Sequence, residues 1–431
     1  MRVACVDVGS TDTKCAVVDT ATGALVATLS GPTTLGTDVL AGVDALLAAA
    51  GPVGGVYCCS SAGGGLRLAV VGFEALVSAD AAARVALTAG ARVVGRFAGR
   101  LDGPAVRALR DTKPDVVLLA GGTDGGDGDT IRHNAARLAT ARWKVPVVVA
   151  GNRDARDEIV ALLGGRGLPV AAAGNVLPRI GVIEPGPARA AIRELFLRHV
   201  IGGKRLSRGP RFGRLVSAAT PDAVLTGVGV LARVAGGDLL VVDVGGATTD
   251  VYSALRPGET AADAVAGVLW QARTVEGDLG VRWNRAGIVE AAARERVPVG
   301  AGFAGLESPG LASPGFASGG LVSSDGAGGG GGLDLATAAV TVALRRHART
   351  GRDLRDVVSV IASGGVFRHA EPAAARAAVR AALDDHAGGW ALPRDPAITV
   401  DRDYILAAAG LLAADHPDAA AALCRALAHA Q

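Results

Sequence analysis

The sequence predicts an α/β protein of two related domains. Three observations carry that prediction: a strand–turn–strand pattern that occurs twice, an aliphatic composition, and a run of alternating strands and helices between residues 115 and 185. The first copy of the pattern reads Val6-Asp7-Val8-Gly9-Ser10-Thr11-Asp12-Thr13-Lys14, and the second Val242-Asp243-Val244-Gly245-Gly246-Ala247-Thr248-Thr249-Asp250. Each follows an apolar run and leads into another. A tight glycine turn of this kind presents backbone N–H groups and hydroxyls, the groups that hold phosphate oxygens. The phosphate candidates are Gly9, Ser10, Thr11, Thr13 and Lys14 in the first copy, and Gly245, Gly246, Ala247, Thr248 and Thr249 in the second. Asp7 and Asp243 end the first strand of each copy. A carboxylate there can hold Mg²⁺ through water or orient an attacking water, so both are metal and catalytic candidates. One copy alone reads as a β-turn with glycine at a positive φ. The in-register pair, with Thr13 and Thr249 at the same offset, points to two related domains gripping one nucleotide from both sides.

Half of the 431 residues are hydrophobic but only 3% are aromatic, so the core is aliphatic, as for helices packed on buried strands. The length allows two or three domains. Net charge is +3 with no long basic run, and few aromatics are available for stacking, so nucleic acid is not an expected partner. A strand starts at once, so no signal peptide is expected. The longest apolar stretch, Ile405 to Ala414, is too short to span a bilayer, and no membrane partner is expected. The cysteines Cys5, Cys15, Cys58, Cys59 and Cys424 form no C-x-x-C pair. They read as buried, reduced thiols of a cytoplasmic protein rather than ligands of zinc or an iron–sulfur cluster. The 44 basic residues comprise 4 lysines and 40 arginines. A lysine kept against that bias marks a place for a compact ammonium, and Lys14 lies in the first turn.

Along the chain, residues 1–30 read as a β-meander, followed by a helix over 37–50 and strands at Gly54–Cys59 and Leu66–Val71. Two helices are expected near 73–90 and 103–111. Residues 115–185 read as β-α-β-α-β, an order that implies parallel pairing. The first strand of that unit ends in Gly121-Gly122-Thr123-Asp124-Gly125-Gly126, at the carboxyl edge where open α/β sheets bind ligands; the alternative is an acidic loop that only turns the chain. Long helices follow at 186–200 and, capped by Thr220-Pro221-Asp222, to about Ala235. Gly227-Val228-Gly229-Val230-Leu231-Ala232 matches G-x-G-x-x-A but sits inside that helix, so it is a false match. Residues 305–332, rich in Gly, Ser and Pro, read as a mobile loop. A helix over 333–349 then leads to the strand Val357–Ala362. It ends in Ser363-Gly364-Gly365, where adjacent glycines let backbone approach a ring or ribose. The C-terminal part is helical and Ala-rich.

The order phosphate turn, second phosphate turn, strand-Gly-Gly resembles the actin–sugar kinase–Hsp70 superfamily over nearly the whole chain. A narrower resemblance rests on Leu119–Gly126, Asn175-Val176-Leu177-Pro178, Thr274-Val275-Glu276-Gly277-Asp278-Leu279-Gly280 and Asp403-Tyr404-Ile405. These segments are similar to the MutL/GlmL family, proteins associated with adenosylcobalamin-dependent glutamate mutase and unrelated to the mismatch-repair MutL. The resemblance implies two actin-like ATPase domains of ribonuclease H-like topology with a nucleotide cleft between them. They are expected over 1–236, including an inserted α/β unit 115–185, and 237–402, with C-terminal helices over 403–431. It implies ATP and Mg²⁺ as cofactors. It further implies an accessory or reactivating role toward an adenosylcobalamin-dependent mutase subunit. A small-molecule kinase of the sugar-kinase type and a non-catalytic actin-like scaffold are the alternatives.

Overall fold

Short Val-, Leu- and Ala-rich strands, bounded by glycine turns, assemble into three five-stranded sheets. The computed structural model describes residues 1–201, 206–256, 269–300, 330–386 and 388–429. The chain divides into two units, one built on Met1–Leu231 and Leu406–Cys424, the other on Ala232–Leu255 and Arg273–Ile405.

The first unit opens with β1 (Arg2–Val8), β2 (Asp12–Asp19), β3 (Leu25–Pro32), α1 (Val39–Ala50) and β4 (Val56–Ser60). The chain then leaves this sheet to build another. That one comprises β5 (Leu66–Gly72), α2 (Ser78–Thr88), β6 (Ala91–Ala98), α3 (Gly103–Asp111), β7 (Val116–Leu119), α4 (Asp129–Thr140), β8 (Val147–Val149), α5 (Arg153–Gly165) and β9 (Val170–Ala172). It returns through α6 (Pro185–Leu195), a π-helical turn (Phe196–Ile201) and α7 (Arg211–Leu215) to β10 (Val216–Ala219) and α8 (Thr220–Ala235). The first sheet has the order β3-β2-β1-β4-β10, with an antiparallel meander on one side of β1 and parallel strands on the other. The second is wholly parallel, in the order β6-β5-β7-β8-β9. That is the doubly wound 2-1-3-4-5 order. Helices α2 and α6 share one aliphatic core with both sheets, and α3, α4 and α5 cover the parallel sheet's other face.

The second unit repeats the first sheet's plan. Its elements are β11 (Leu239–Val244), β12 (Thr249–Ala254), β13 (Gln271–Glu276), α9 (Arg285–Glu295), α10 (Gly330–Ala348), β14 (Ser359–Ser363), α11 (Gly365–Arg368), α12 (Pro372–Leu383) and β15 (Ala397–Val400). The order β13-β12-β11-β14-β15 matches the first sheet strand for strand: antiparallel β11/β12, then parallel β11/β14 and β14/β15. Helices α13 (Ile405–Leu412) and α14 (Pro417–His429) end the chain. A Cβ on Gly227 of α8 would meet the Leu406 carbonyl at 2.0 Å, and one on Gly410 of α13 the Ala223 carbonyl at 1.8 Å. Gly227 of the false G-x-G-x-x-A match therefore serves close helix crossing, while Gly229 makes room for the Gln271 side chain.

Three differences from the sequence reading have local causes. The parallel sheet begins at Leu66, upstream of 115, because β6 is a half-exposed edge strand with a register shift near Gly95 that blurs its pattern. Glycines 330–332 start α10 rather than end a loop, and the rest of the expected 305–332 loop lies outside the described residues. Thr220 does not act as a cap: its hydroxyl is given to Asp7. Among the described residues no helix is long and apolar enough to cross a membrane.

Candidate functional site

Both turns have one geometry. Gly9 N donates to Asp12 O at 3.1 Å and Gly245 N to Thr248 O at 2.9 Å. Neither glycine has a positive φ; Gly9 is needed for room, since a Cβ would lie 2.7 Å from Asp12 O, whereas at Gly245 it would make a tight contact 3.1 Å from Thr248 O. Thr13 and Thr249, expected to face phosphate, are fully buried. Their hydroxyls bond Thr33 Oγ1 at 3.0 Å and Leu279 O at 2.5 Å, so they fasten the turns from beneath. Gly9, Ser10 and Thr11 form the tip of one turn, and Gly245, Gly246, Ala247 and Thr248 that of the other, all of them partly exposed.

Asp7 is held from three directions within the first unit. Thr220 Oγ1 donates to its Oδ1 at 2.5 Å, the Cys59 thiol donates to the same oxygen at 3.6 Å, and Lys14 Nζ lies 3.5 Å from Oδ2. Burial, with the charge of Asp7 beside it, pushes the Cys59 thiol far up, which keeps it a protonated donor. Cross-strand register makes this cluster: Asp7 faces Lys14 in β1/β2. In β11/β12 the same register sets Asp243 opposite Asp250. Two carboxylates there need a cation. The buried Arg273 supplies it, donating from Nε to Asp250 Oδ1 at 2.8 Å, while Thr248 Oγ1 takes Oδ2 at 3.1 Å.

The Thr274–Gly280 segment is the scaffold of the second turn. Thr274 Oγ1 bonds His347, and Glu276 and Asp278 hold Arg346 at 2.6 and 2.9 Å. A Cβ on Gly280 would lie 2.3 Å from the Ala247 carbonyl carbon. The loop that follows caps the turn's carbonyls. Val281 N donates to Gly245 O, Arg282 N and Trp283 N to Gly246 O, and Asn284 Nδ2 to Ala247 O. With the carbonyls taken, the amides of Gly246, Ala247 and Thr248 have no acceptor among the described residues. Successive free N–H groups form an anion cradle.

Beside this turn, Ser363 pairs in register with Asp243. Gly364, at φ 108°, would put a Cβ 2.1 Å from Val244 O, so only glycine fits. Gly365 is exposed at the start of α11. Sequence reasoning missed Arg368. Its guanidinium carbon lies 4.1 Å from the centre of the Tyr404 ring, and its Nη1 is buried without a hydrogen-bond partner among the described residues. Tyr404 itself has a positive φ of 57°, a departure that clusters at functional sites. An Arg three residues beyond a Gly-Gly pair, with Asp403-Tyr404 downstream, was the available signal.

The acidic glycine turn resolves toward its structural alternative. Asp124 Oδ1 accepts from Asn175 Nδ2 at 2.9 Å and from Arg153 N at 3.1 Å; Asp124 N donates to Pro178 O, and Gly125 N to Asp154 Oδ2. Two of the sequence segments singled out above, Gly121–Gly126 and Asn175–Pro178, thus brace one another.

Among the described residues no group of three or more His, Cys, Asp or Glu side chains could hold a metal ion by itself. Asp7 and Asp243 are hard oxygen donors suited to Mg²⁺ only when waters and phosphates complete the shell.

Two hairpins of one design, each on a sheet of one 3-2-1-4-5 order, define a duplicated α/β fold of the actin-like, ribonuclease H-like type. The chain belongs to the MutL family. The family model described as MutL protein matches residues 3–427, and Protein MutL of Clostridium tetanomorphum is 33% identical over 447 residues, covering 96% of each chain. Solved structures similar to it include the ATP-dependent caprolactamase of Pseudomonas jessenii (13% identity, 96% of this chain and 71% of that one, TM-score 0.37). Xylulose kinase of Lactobacillus acidophilus matches at 13% identity over 99% of this chain and 96% of that one, with TM-score 0.33. A nucleotide-free acetone carboxylase matches at 16% identity over 64% of this chain, and the chain spans 48% of it, with TM-score 0.31.

Proposed function

We propose that the chain binds MgATP through its matched turns, hydrolyses it, and uses the cycle as a reactivating chaperone for an adenosylcobalamin-dependent mutase. The observation that carries the nucleotide reading is the row of unaccepted amides at Gly246, Ala247 and Thr248 beside Asp243. Phosphate oxygens supply the acceptors those amides lack. When bound, Mg²⁺ neutralises charge on the phosphates. Asp7, pinned at Oδ1 by Thr220 and Cys59, keeps Oδ2 near Lys14 to hold a metal-bound or attacking water. Gly364 and Gly365 leave room for ribose or base, with Arg368 over Tyr404 as a ring platform. The mutase partner rests on family membership and on the parallel sheet, an addition that a plain nucleotide clamp does not need.

The test has two stages. MgATP should raise the melting temperature, because a ligand of the folded state stabilises by mass action. Asp7→Asn and Asp243→Asn should cut hydrolysis far more than binding. A turnover-inactivated cobalamin mutase should then regain activity with this protein, MgATP and fresh adenosylcobalamin. Normal hydrolysis in both variants removes the site assignment. Phosphorylation of a small hydroxylated compound with no mutase response replaces the chaperone with a kinase.

A further inference from the structure

The amino-terminal edge of the parallel sheet gathers cations that the fold does not use. Helices α3, α4 and α5 run against their strands, so their C-termini meet at this edge. Arg110 and Lys113 lie at the end of α3, Arg142 and Lys144 after α4, and Arg166 after α5, all exposed. None of these five side chains has a hydrogen bond or ion pair among the described residues. Cations at helix C-termini ordinarily serve the last carbonyls and the macrodipole. Here that duty on α3 is taken by Arg67, whose Nη2 and Nε donate to Thr112 O at 2.7 Å and Lys113 O at 3.1 Å. Arg110 and Lys113 are thereby released.

Two further features coincide at this edge. Lys113 (φ 47°) and Arg142 (φ 51°) are two of the four non-glycine residues with positive φ among the described residues. Glycine adopts that backbone at less cost, and the chain has 62 glycines. Keeping a long cationic side chain in each place is therefore a use of the side chain. At this edge opens a cavity of about 640 Å³ lined by Arg110, Asp111, Lys113, Pro114 and Trp143. Trp143 is half-buried and packs against the core under α3–α5, so its ring is a fixed wall.

We propose that this edge is a docking site for an acidic segment of a partner protein, with carboxylates on the five cations and one apolar side chain in the cavity against Trp143 and Pro114. Exposed cations in water hold a small anion weakly, whereas a chain bearing several carboxylates engages them together. A nucleic-acid track carries several aromatics for stacking; Trp143 stands alone, and Asp111 in the wall repels phosphate while it can accept a peptide N–H. The site is separate from the nucleotide turns and does not depend on their reading.

The test uses the full chain and a synthetic acidic octapeptide, Asp and Glu flanking a central Leu, followed by calorimetry and by fluorescence that Trp143→Phe identifies as coming from Trp143. Binding is expected with a dissociation constant below about 100 μM in 50 mM KCl, weakening at least about tenfold in 300 mM KCl as charges are screened. Paired Arg110→Glu and Lys113→Glu should abolish it, with melting temperature and ATP binding unchanged. Equal binding of the Asn/Gln version, of citrate, or of an oligothymidylate would overturn the proposal, as would no binding of the acidic peptide at low salt.

Discussion

His347 should make the second unit acid-sensitive well above the range where its carboxylates titrate. The ring is fully buried in α10. Its Nε2 lies 2.8 Å from Ser253 Oγ and its Nδ1 3.0 Å from Thr274 Oγ1. Burial, with the positive charge of Arg352 near it, holds its pKa down to about 3. The folded state therefore keeps the ring neutral, while an unfolded chain protonates it below about pH 6.5. Stability is present above that value and lost as pH falls. Linkage puts the loss at about 2 kcal/mol at pH 5 and about 4 kcal/mol near pH 3. For a domain of this size the first figure corresponds to a fall in melting temperature of about 4–8 °C between pH 7 and 5. Glu276, raised by burial, works in the opposite sense, since its stabilisation is present at low pH and lost as pH rises. The comparison is therefore with His347→Gln, which can still bond Ser253 and Thr274 but takes no proton. Scanning calorimetry of both proteins from pH 7 to 5 should show the variant losing less than half as much. Parallel curves for the two proteins would refute the reasoning.

Three other outcomes are expected. Thr220→Val removes a hydrogen bond to a buried carboxylate, worth about 1.5–3 kcal/mol, and should slow ATP turnover at least about tenfold with little change in ATP affinity. Thr220→Ser should restore it, and steady-state kinetics with a binding titration checks both. Gly364→Ala must move the Val244 carbonyl and adopt φ 108°, so thermal melting should fall by several degrees and nucleotide binding with it. Lys14→Arg should not support hydrolysis, because a planar guanidinium cannot stand for the compact ammonium beside Asp7 Oδ2; full activity would make this lysine incidental.

The hairpins were legible because their signal is local: seven residues separate Asp7 from Lys14 and Asp243 from Asp250, and the register follows from the turn. What holds them was not, because it is distant in sequence. Thr220 reaches Asp7 across 213 residues, and its Thr-Pro-Asp pattern has the same letters as a helix cap. Thr13 and Thr249 lay in the right motif, but both strands are buried around them and their hydroxyls are taken by Thr33 and Leu279. Strands β10 and β15 are four residues long, and β10, reading Val-Ser-Ala-Ala, has one β-branched residue, too little pattern to separate from loop. Arg368 is marked in sequence only by standing three residues beyond the Gly364-Gly365 pair, too little to single it out among the arginines until its place over Tyr404 is seen.

The parallel sheet is spliced between β4 and β10, which are neighbours in the first sheet. Cys59 lies one residue before the splice begins at the end of β4, and Thr220 follows directly on β10, where it ends. These are the two residues that grip Asp7 Oδ1. The inserted sheet is thus mounted like a handle whose two rivets clamp the strand-end carboxylate. Because α2 and α6 pack both sheets into one core, a load placed on it would reach Asp7 through that core as well as by spreading or tightening two adjacent strands.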